Sequence, residues 1–277
     1  MTVKHLIAED FAPERLRALG RIDHDAYVSA EPWPHIVRHD LFSKDVLDDL
    51  VRELDSVRRE SLLQHVTSRT VKNESAAVRG IGPTMDAFQA AMDSPAMTSY
   101  VEAVTGITGL VGDPTRELAG LHETPAGGFT KVHTDFSNHP TTGLHHRVNV
   151  LLYMNPEWPD DWGGQLELWP SDMDGDPKIV QPTLGTFIVF ATNDNTKHGL
   201  PRAVACPEGR SRKSLAFYYY SVERHGDELS ARHSSYHARP TESASDLIPP
   251  LKERLIERLP PSLVSSVFRF KSALRRK

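Results

Sequence analysis

Two His-x-Asp pairs, His133-Thr134-Asp135 and His225-Gly226-Asp227, present residue types that hold divalent metals. On a strand, side chains at i and i+2 share a face, so His133 and Asp135 would point jointly. A second histidine from a distant strand would complete a two-histidine, one-carboxylate set, which leaves positions open for substrate and dioxygen on Fe(II). For the first pair that histidine exists. The stretch "GTFIVFATNDNTKHGLP" reads as an apolar strand and a polar turn, followed by His198 beside a glycine. The second pair lies beyond the last strand pattern and is followed only by His233 and His237, with nothing to exclude water or frame a substrate. The metal is therefore expected at His133, Asp135 and His198. His139, His145 and His146 fall in an apparent loop and are read as surface residues, with substrate contact as the alternative.

The elements that must position these side chains change character along the chain. "SKDVLDDLVRELDSVRRESLLQHV" (43–66) has a serine N-cap candidate and apolar residues at Val46, Leu47, Leu50, Val51 and Leu54, which is helical spacing. "TMDAFQAAMDSPAMTSYVEAVTGI" (84–107) predicts two short helices divided at Pro95. The polar segment 65–84 between these helices reads as a long loop. Past Gly109, seven short runs rich in β-branched and aromatic residues are separated by Gly, Pro, Asn and Asp. That predicts a mainly β fold with flanking α: a jelly roll braced by N- and C-terminal helices. The expected layout is one domain over 1–277. It comprises a helical N-terminal support (1–109), a jelly-roll core (110–222), and a polar segment ending in a basic helix (223–277). In that last helix Leu255, Leu259, Leu263 and Val267 would form the packing stripe.

Alternation then sorts the strand residues. In "RVNVLLYMN" one face carries Arg147, Asn149, Leu151 and Tyr153, and the other Val148, Val150 and Leu152. The apolar set suits the covering helices, so the polar set should face the barrel interior. In "RKSLAFYYY" the same rule groups Arg212, Ser214, Ala216 and Tyr218. A buried arginine without a partner is expensive. Beside Ser214 and facing Tyr153, Arg212 suits a dicarboxylic cosubstrate, because its planar fork matches a carboxylate.

Composition narrows the class. The net charge of −5 gives no general reason to expect nucleic acid, although residues 251–277 hold eight Lys/Arg against two Glu. No run approaches the roughly 18 apolar residues that span a bilayer. Acidic residues near the start stand where a signal peptide would be apolar, and a single cysteine, Cys206, suits a reducing compartment. A cytoplasmic protein without a membrane span is expected.

Across roughly 117–221 the chain resembles the Fe(II)- and 2-oxoglutarate-dependent oxygenases, specifically the prolyl-4-hydroxylase-like branch. The resemblance rests on an ordered set: H-T-D (133–135), "LLYMN" (151–155), "WGGQLEL" (162–168), "PTLGTFIVF" (182–190), "KHGLP" (197–201) and "RKSLAFYYY" (212–220). It implies a double-stranded β-helix with His133, Asp135 and His198 as iron ligands. It also implies Arg212, in an R-x-S-L context, as the seat of the distal 2-oxoglutarate carboxylate, assisted by Tyr153, with Asn149 and Ser214 nearby. Arg202 and Arg210 lack that context. One departure is Thr124, where the family often has tyrosine; His122, on the same face, is a candidate substitute. The implied activity consumes Fe(II), 2-oxoglutarate and O2 and hydroxylates an unactivated C–H bond of a small molecule, such as an amino acid, sugar or natural-product intermediate. Asp135 argues against halogenation, in which that position is small. A peptidyl hydroxylase is the alternative, and a non-enzymatic metal-binding jelly roll is a further one. Candidate substrate contacts are His122, Thr124, Lys131 and Arg147. The loops 135–147 and 65–84 are expected to border the cavity, the latter offering Arg69, Lys72, Asn73 and Arg79.

Overall fold

The computed structural model describes residues 3–58, 61–75, 80–113, 115, 118–222, 233–251 and 253. Its chain opens with α1 (Val3–Asp10) and α2 (Pro13–Val28), the latter entered through a proline whose fixed φ and missing N–H suit a first helical turn. After β1 (His35–Arg38) comes α3 (Lys44–Asp55), which buries Val46, Leu47, Leu50 and Leu54 along one side, as its periodicity predicts. A hairpin of β2 (Leu63–Val66) and β3 (Thr70–Ser75) follows. Next come α4 (Pro83–Met92) and α5 (Pro95–Thr105), divided at Pro95 as expected. Ser94 Oγ caps α5 by accepting from the Met97 N–H, and Gly106 ends it in the left-handed conformation, where glycine has no Cβ penalty.

The remaining strands are β4 (Val111–Gly112), β5 (Gly120–Pro125), β6 (Phe129–Thr134), β7 (His145–Tyr153), β8 (Leu166–Trp169), β9 (Lys178–Val180), β10 (Phe187–Ala191), β11 (Lys197–Leu200), β12 (Ser211–Ser221) and β13 (Ser235–Tyr236). They pair in the order β1-β10-β7-β12-β5-β3-β6-β11-β8-β9, every pairing antiparallel. The sheet is nearly closed into a barrel, the jelly roll expected from the strand pattern. Near its two open ends, the Trp33 indole N–H donates to the Trp169 carbonyl at 2.9 Å.

The two faces divide as alternation requires. Val148, Val150, Leu152, Phe187 and Val189 pack outward against the helices. Tyr153, Leu166, Leu168, Ile188 and Phe190 pack inside the barrel. Covering one face with helices leaves the other to enclose a cavity.

Three strands were not expected in the N-terminal part. β1 extends one end of the sheet, and β2–β3 replaces the predicted loop, with β3 lying between β5 and β6. Polar sequence concealed the hairpin because its strands face a polar cavity, so no apolar alternation marks them. The expected C-terminal helix through 255–267 and the His225/Asp227 pair lie outside the described residues, as does Arg79.

Candidate active site

The barrel interior holds a cavity of about 250 Å³. His133, Asp135 and His198 meet in its wall, and among the described residues they form the one group whose ligand atoms all lie within 4.8 Å of one another. Topology explains the meeting. β6 and β11 are hydrogen-bonded neighbours with His133 directly opposite His198, which brings the two rings to 4.7 Å between centroids. Asp135 follows two residues after His133, and its carboxylate oxygens stand 3.4 Å from His133 Nε2 and 3.5 Å from His198 Nε2. Neighbouring ligands at about 2.1 Å from one ion would stand about 3 Å apart, so this spacing closes on a metal with small adjustments.

Both histidines are prepared for a metal in the same way. His133 Nδ1 lies 2.9 Å from the Lys131 carbonyl and His198 Nδ1 lies 3.0 Å from the Thr196 carbonyl. A carbonyl only accepts, so each ring carries its proton on Nδ1 and turns the Nε2 lone pair toward the site. Burial lowers the pKa of His198, outweighing the pull of Asp135, and so favours the neutral ligand form. Burial pushes the Asp135 carboxyl up, but His198 and His133 outweigh it and hold the group well below the usual carboxylate range. Asn149, from β7, donates its side-chain amide to Asp135 Oδ2 and fixes that carboxylate.

Arg212 lines the same cavity from β12 and is 3% exposed. Its Nε donates to the Gly164 carbonyl at 3.1 Å, one terminal nitrogen donates to Ser214 Oγ at 3.2 Å, and the guanidinium lies over the Tyr153 ring. The guanidinium has five N–H donors, so capacity remains for a carboxylate. Arg202 and Arg210 are exposed, and Arg210 instead donates to the Pro156 carbonyl and lies over the Trp162 ring.

His122 and Thr124 also border the cavity, but Lys131 and Arg147 do not. Two β-bulges cause both departures. Between β6 and β11 the register steps from His133↔His198 to Thr130↔Leu200, three residues against two. Thr130 and His133 therefore both face the cavity, while Lys131 turns away to Glu242 and the Asp246 carbonyl. Opposite this bulge sits Gly199, where a Cβ would meet the Thr130 carbonyl oxygen and Val132 Cα at 2.9 Å. The glycine beside His198 is thus a packing requirement of the bulge. Between β7 and β12 the register steps from Val148↔Tyr219 to His146↔Tyr220 and leaves Arg147 as the extra residue. His146 takes the inward side, stacked on Phe136 at 4.6 Å, and Arg147 donates to Ser221 Oγ instead.

The expectation that His139 and His146 are surface residues is likewise corrected: they are 1% and 0% exposed. His139 accepts from the Thr141 N–H on Nδ1 and faces Thr115 and Asp113 through Nε2, which pins the 135–147 segment from within. That segment reaches the cavity through Phe136, and β3 reaches it through Thr70, Lys72 and Glu74. Of the other residues expected there, Asn73 faces away and donates to Glu123, and Arg69 lies over the Tyr236 ring.

One wall went unseen in the sequence. Residues 233–251 form a strap along one side of the cavity, with Ser234 and Tyr236 in its lining. β13 pairs with β6, setting Tyr236 opposite His133, and Glu253 accepts from the Ser68 N–H and hydroxyl at the β2–β3 turn. Nothing in "HSSYHARP" marks such a wall, because the strand it pairs with, β6, is distant in sequence.

Residues 119–220 match the model of the 2OG-Fe(II) oxygenase superfamily. The matched stretch is the core of a 2-oxoglutarate-dependent Fe(II) dioxygenase, a family that uses Fe(II), 2-oxoglutarate and O2, and its fold is prolyl-4-hydroxylase-like. Among solved structures it is similar to a Pseudomonas putida prolyl-4-hydroxylase, with 21% identity over 74% of this chain and 98% of that one and a TM-score of 0.57. It is also similar to a Trichoplax adhaerens prolyl hydroxylase in complex with a hypoxia inducible factor peptide, with 15% identity over 75% and 91% and a TM-score of 0.56. A prolyl 4-hydroxylase of Phytophthora capsici gives 18% identity over 96% and 76%, with a TM-score of 0.53. At these identities the likeness is one of fold. No curated protein matches in sequence. No helix among the described residues is long and apolar enough to cross a membrane.

Proposed function

We propose that the protein hydroxylates an unactivated C–H bond of a compact polar small molecule, with His133, Asp135 and His198 holding Fe(II) and Arg212 holding 2-oxoglutarate. The observation that carries this reading is the placement of the three-residue cluster and the buried Arg212 in the wall of one cavity. When bound, the iron and cosubstrate supply the oxidant, placing one oxygen atom of O2 in the product and the other in succinate, with loss of CO2. The protein's own share is binding, orientation and exclusion of water. His133 and His198 offer fixed Nε2 lone pairs, and Asn149 orients the Asp135 carboxylate. Arg212 and Ser214 take the distal carboxylate, and Tyr153 supports the guanidinium from below. Thr124 leaves room where a larger side chain would stand.

A small substrate is favoured over a peptide by the wall that the strap forms. An extended chain needs an open groove, whereas Ser234 and Tyr236 occupy one side of the cavity and their segment is tied to β6 and to the β2–β3 turn. A peptidyl hydroxylase is the second reading, supported by the fold shared with prolyl hydroxylases. A cytoplasmic location belongs to the same proposal, in keeping with a single, buried cysteine in the chain. The test is succinate formation from 2-oxoglutarate across small molecules and proline-containing peptides. Stimulation above the uncoupled rate by a small molecule supports the first reading, and stimulation by peptides alone overturns it.

A further inference from the structure

The wall built by β3, β5 and the strap lies apart from the residues assigned above to iron and 2-oxoglutarate. It presents Thr70, Lys72, Glu74, His122, Ser234 and Tyr236 to the cavity. Thr70, Lys72 and Glu74 are successive same-face positions of β3, so the strand itself aims them inward. Lys72 Nζ lies 2.8 Å from Glu74 Oε2, and His65 Nε2 from β2 lies 2.6 Å from Glu74 Oε1. Burial, reinforced by Lys72, pushes His122 down to about 3, so it is neutral at physiological pH with one donor and one acceptor.

Resting on the proposed small-molecule hydroxylation, we infer that this wall is the substrate subsite and that it selects a hydroxyl-rich ligand without net charge, of the sugar or cyclitol kind. Formal charge decides the sign. Lys72 and Glu74 cancel, and the other four residues are uncharged. A ligand with net charge would carry an uncompensated charge into an enclosed site, which is costly. A zwitterion fits less well, because two residues of one strand already satisfy each other and their contact would have to break. Hydroxyl groups need no such rupture. Each can accept from the remaining ammonium protons and donate to the carboxylate, and hydrogen bonds to charged groups are the stronger kind. Thr70, Ser234, Tyr236 and neutral His122 extend the same mixed donor and acceptor surface.

The test uses the full chain loaded with 2-oxoglutarate and Mn(II) in place of iron, and a panel of neutral monosaccharides and inositols with the matched uronic acids and amino sugars. Binding is measured by calorimetry, and 2-oxoglutarate consumption is measured separately on the iron-loaded enzyme. Neutral members are expected to bind at least about tenfold more tightly than their charged counterparts, a ratio set by one unpaired charge. Glu74→Gln should shift preference toward the uronic acids and Lys72→Gln toward the amino sugars. The double variant should return it to the neutral members, which also guards against misfolding of a single variant. Preference for a charged member by the unaltered protein, equal binding of all three kinds, binding of none, or failure of the two single variants to shift in opposite directions would each overturn the inference. Selective binding of neutral members with no 2-oxoglutarate consumption in any mixture would instead defeat the proposed activity and leave the subsite standing.

Discussion

The guanidinium of Arg212 lies over the ring of Tyr153, 4.6 Å from its centroid, with both side chains buried. The two come from neighbouring strands, since Tyr153 pairs with Ser214 across β7 and β12. Burial lowers the pKa of the guanidinium and Tyr153 opposes that shift, so the cation rests on an aromatic face and keeps its outer N–H groups for a ligand.

Replacing Arg212 by alanine is therefore expected to raise the KM for 2-oxoglutarate by about a hundredfold, the loss of a buried charge-assisted contact, with little change in Fe(II) affinity. Steady-state kinetics and metal titration check the two halves. An unchanged 2-oxoglutarate requirement would remove Arg212 from the cosubstrate seat.

For the metal, His133→Ala, Asp135→Ala and His198→Ala should each abolish Fe(II)-dependent turnover while circular dichroism shows a folded chain. Full activity in His198→Ala would defeat the ligand assignment.

Asn149 touches no metal in this scheme but holds Asp135 Oδ2. Asn149→Ala should weaken Fe(II) binding by about 10–100-fold, the usual effect of removing a group that orients a ligand. Calorimetric titration under nitrogen measures it, and wild-type affinity would show the contact to be idle.

Gly199→Ala forces a Cβ against the β6 bulge at 2.9 Å from backbone atoms that cannot rotate away. Destabilisation of about 1–3 kcal/mol is expected, read as a lower thermal midpoint. An unchanged midpoint would mean the bulge relaxes freely.

Burial raises the Glu74 carboxyl, but Lys72 and His65 outweigh it and hold the pKa well below its ordinary value. A depressed folded pKa stabilises the protein above the unfolded value and loses that effect as pH falls toward the folded one. The stability advantage of the native chain over Glu74→Gln should thus be constant above about pH 4.5 and shrink below it. Chemical denaturation at several pH values checks this, and an advantage that grows on acidification would contradict it.

The clustering of His133, Asp135 and His198 was legible because two short-range rules sufficed: same-face spacing for His133 and Asp135, and a strand, turn and His-Gly for His198. The same rules misplaced Lys131 and Arg147, since a bulge is a property of two paired strands and neither strand alone reveals it. Gly199 was the one available signal, and it reads as a turn residue until its neighbour across the sheet is known. The β2–β3 hairpin and the strap stayed hidden for a related reason. Lys72, Glu74 and Tyr236 line a polar cavity, so they carry no apolar pattern, and the strands they pair with, β5 and β6, lie far along the chain.

The strap also sets an order of assembly. Synthesis runs from the N-terminus, so the strands that carry His133 and His198 emerge from the ribosome ahead of Ser234, Tyr236 and Glu253. A nascent chain thus exposes the His133, Asp135 and His198 cluster first and receives the Ser234 and Tyr236 side of the cavity last.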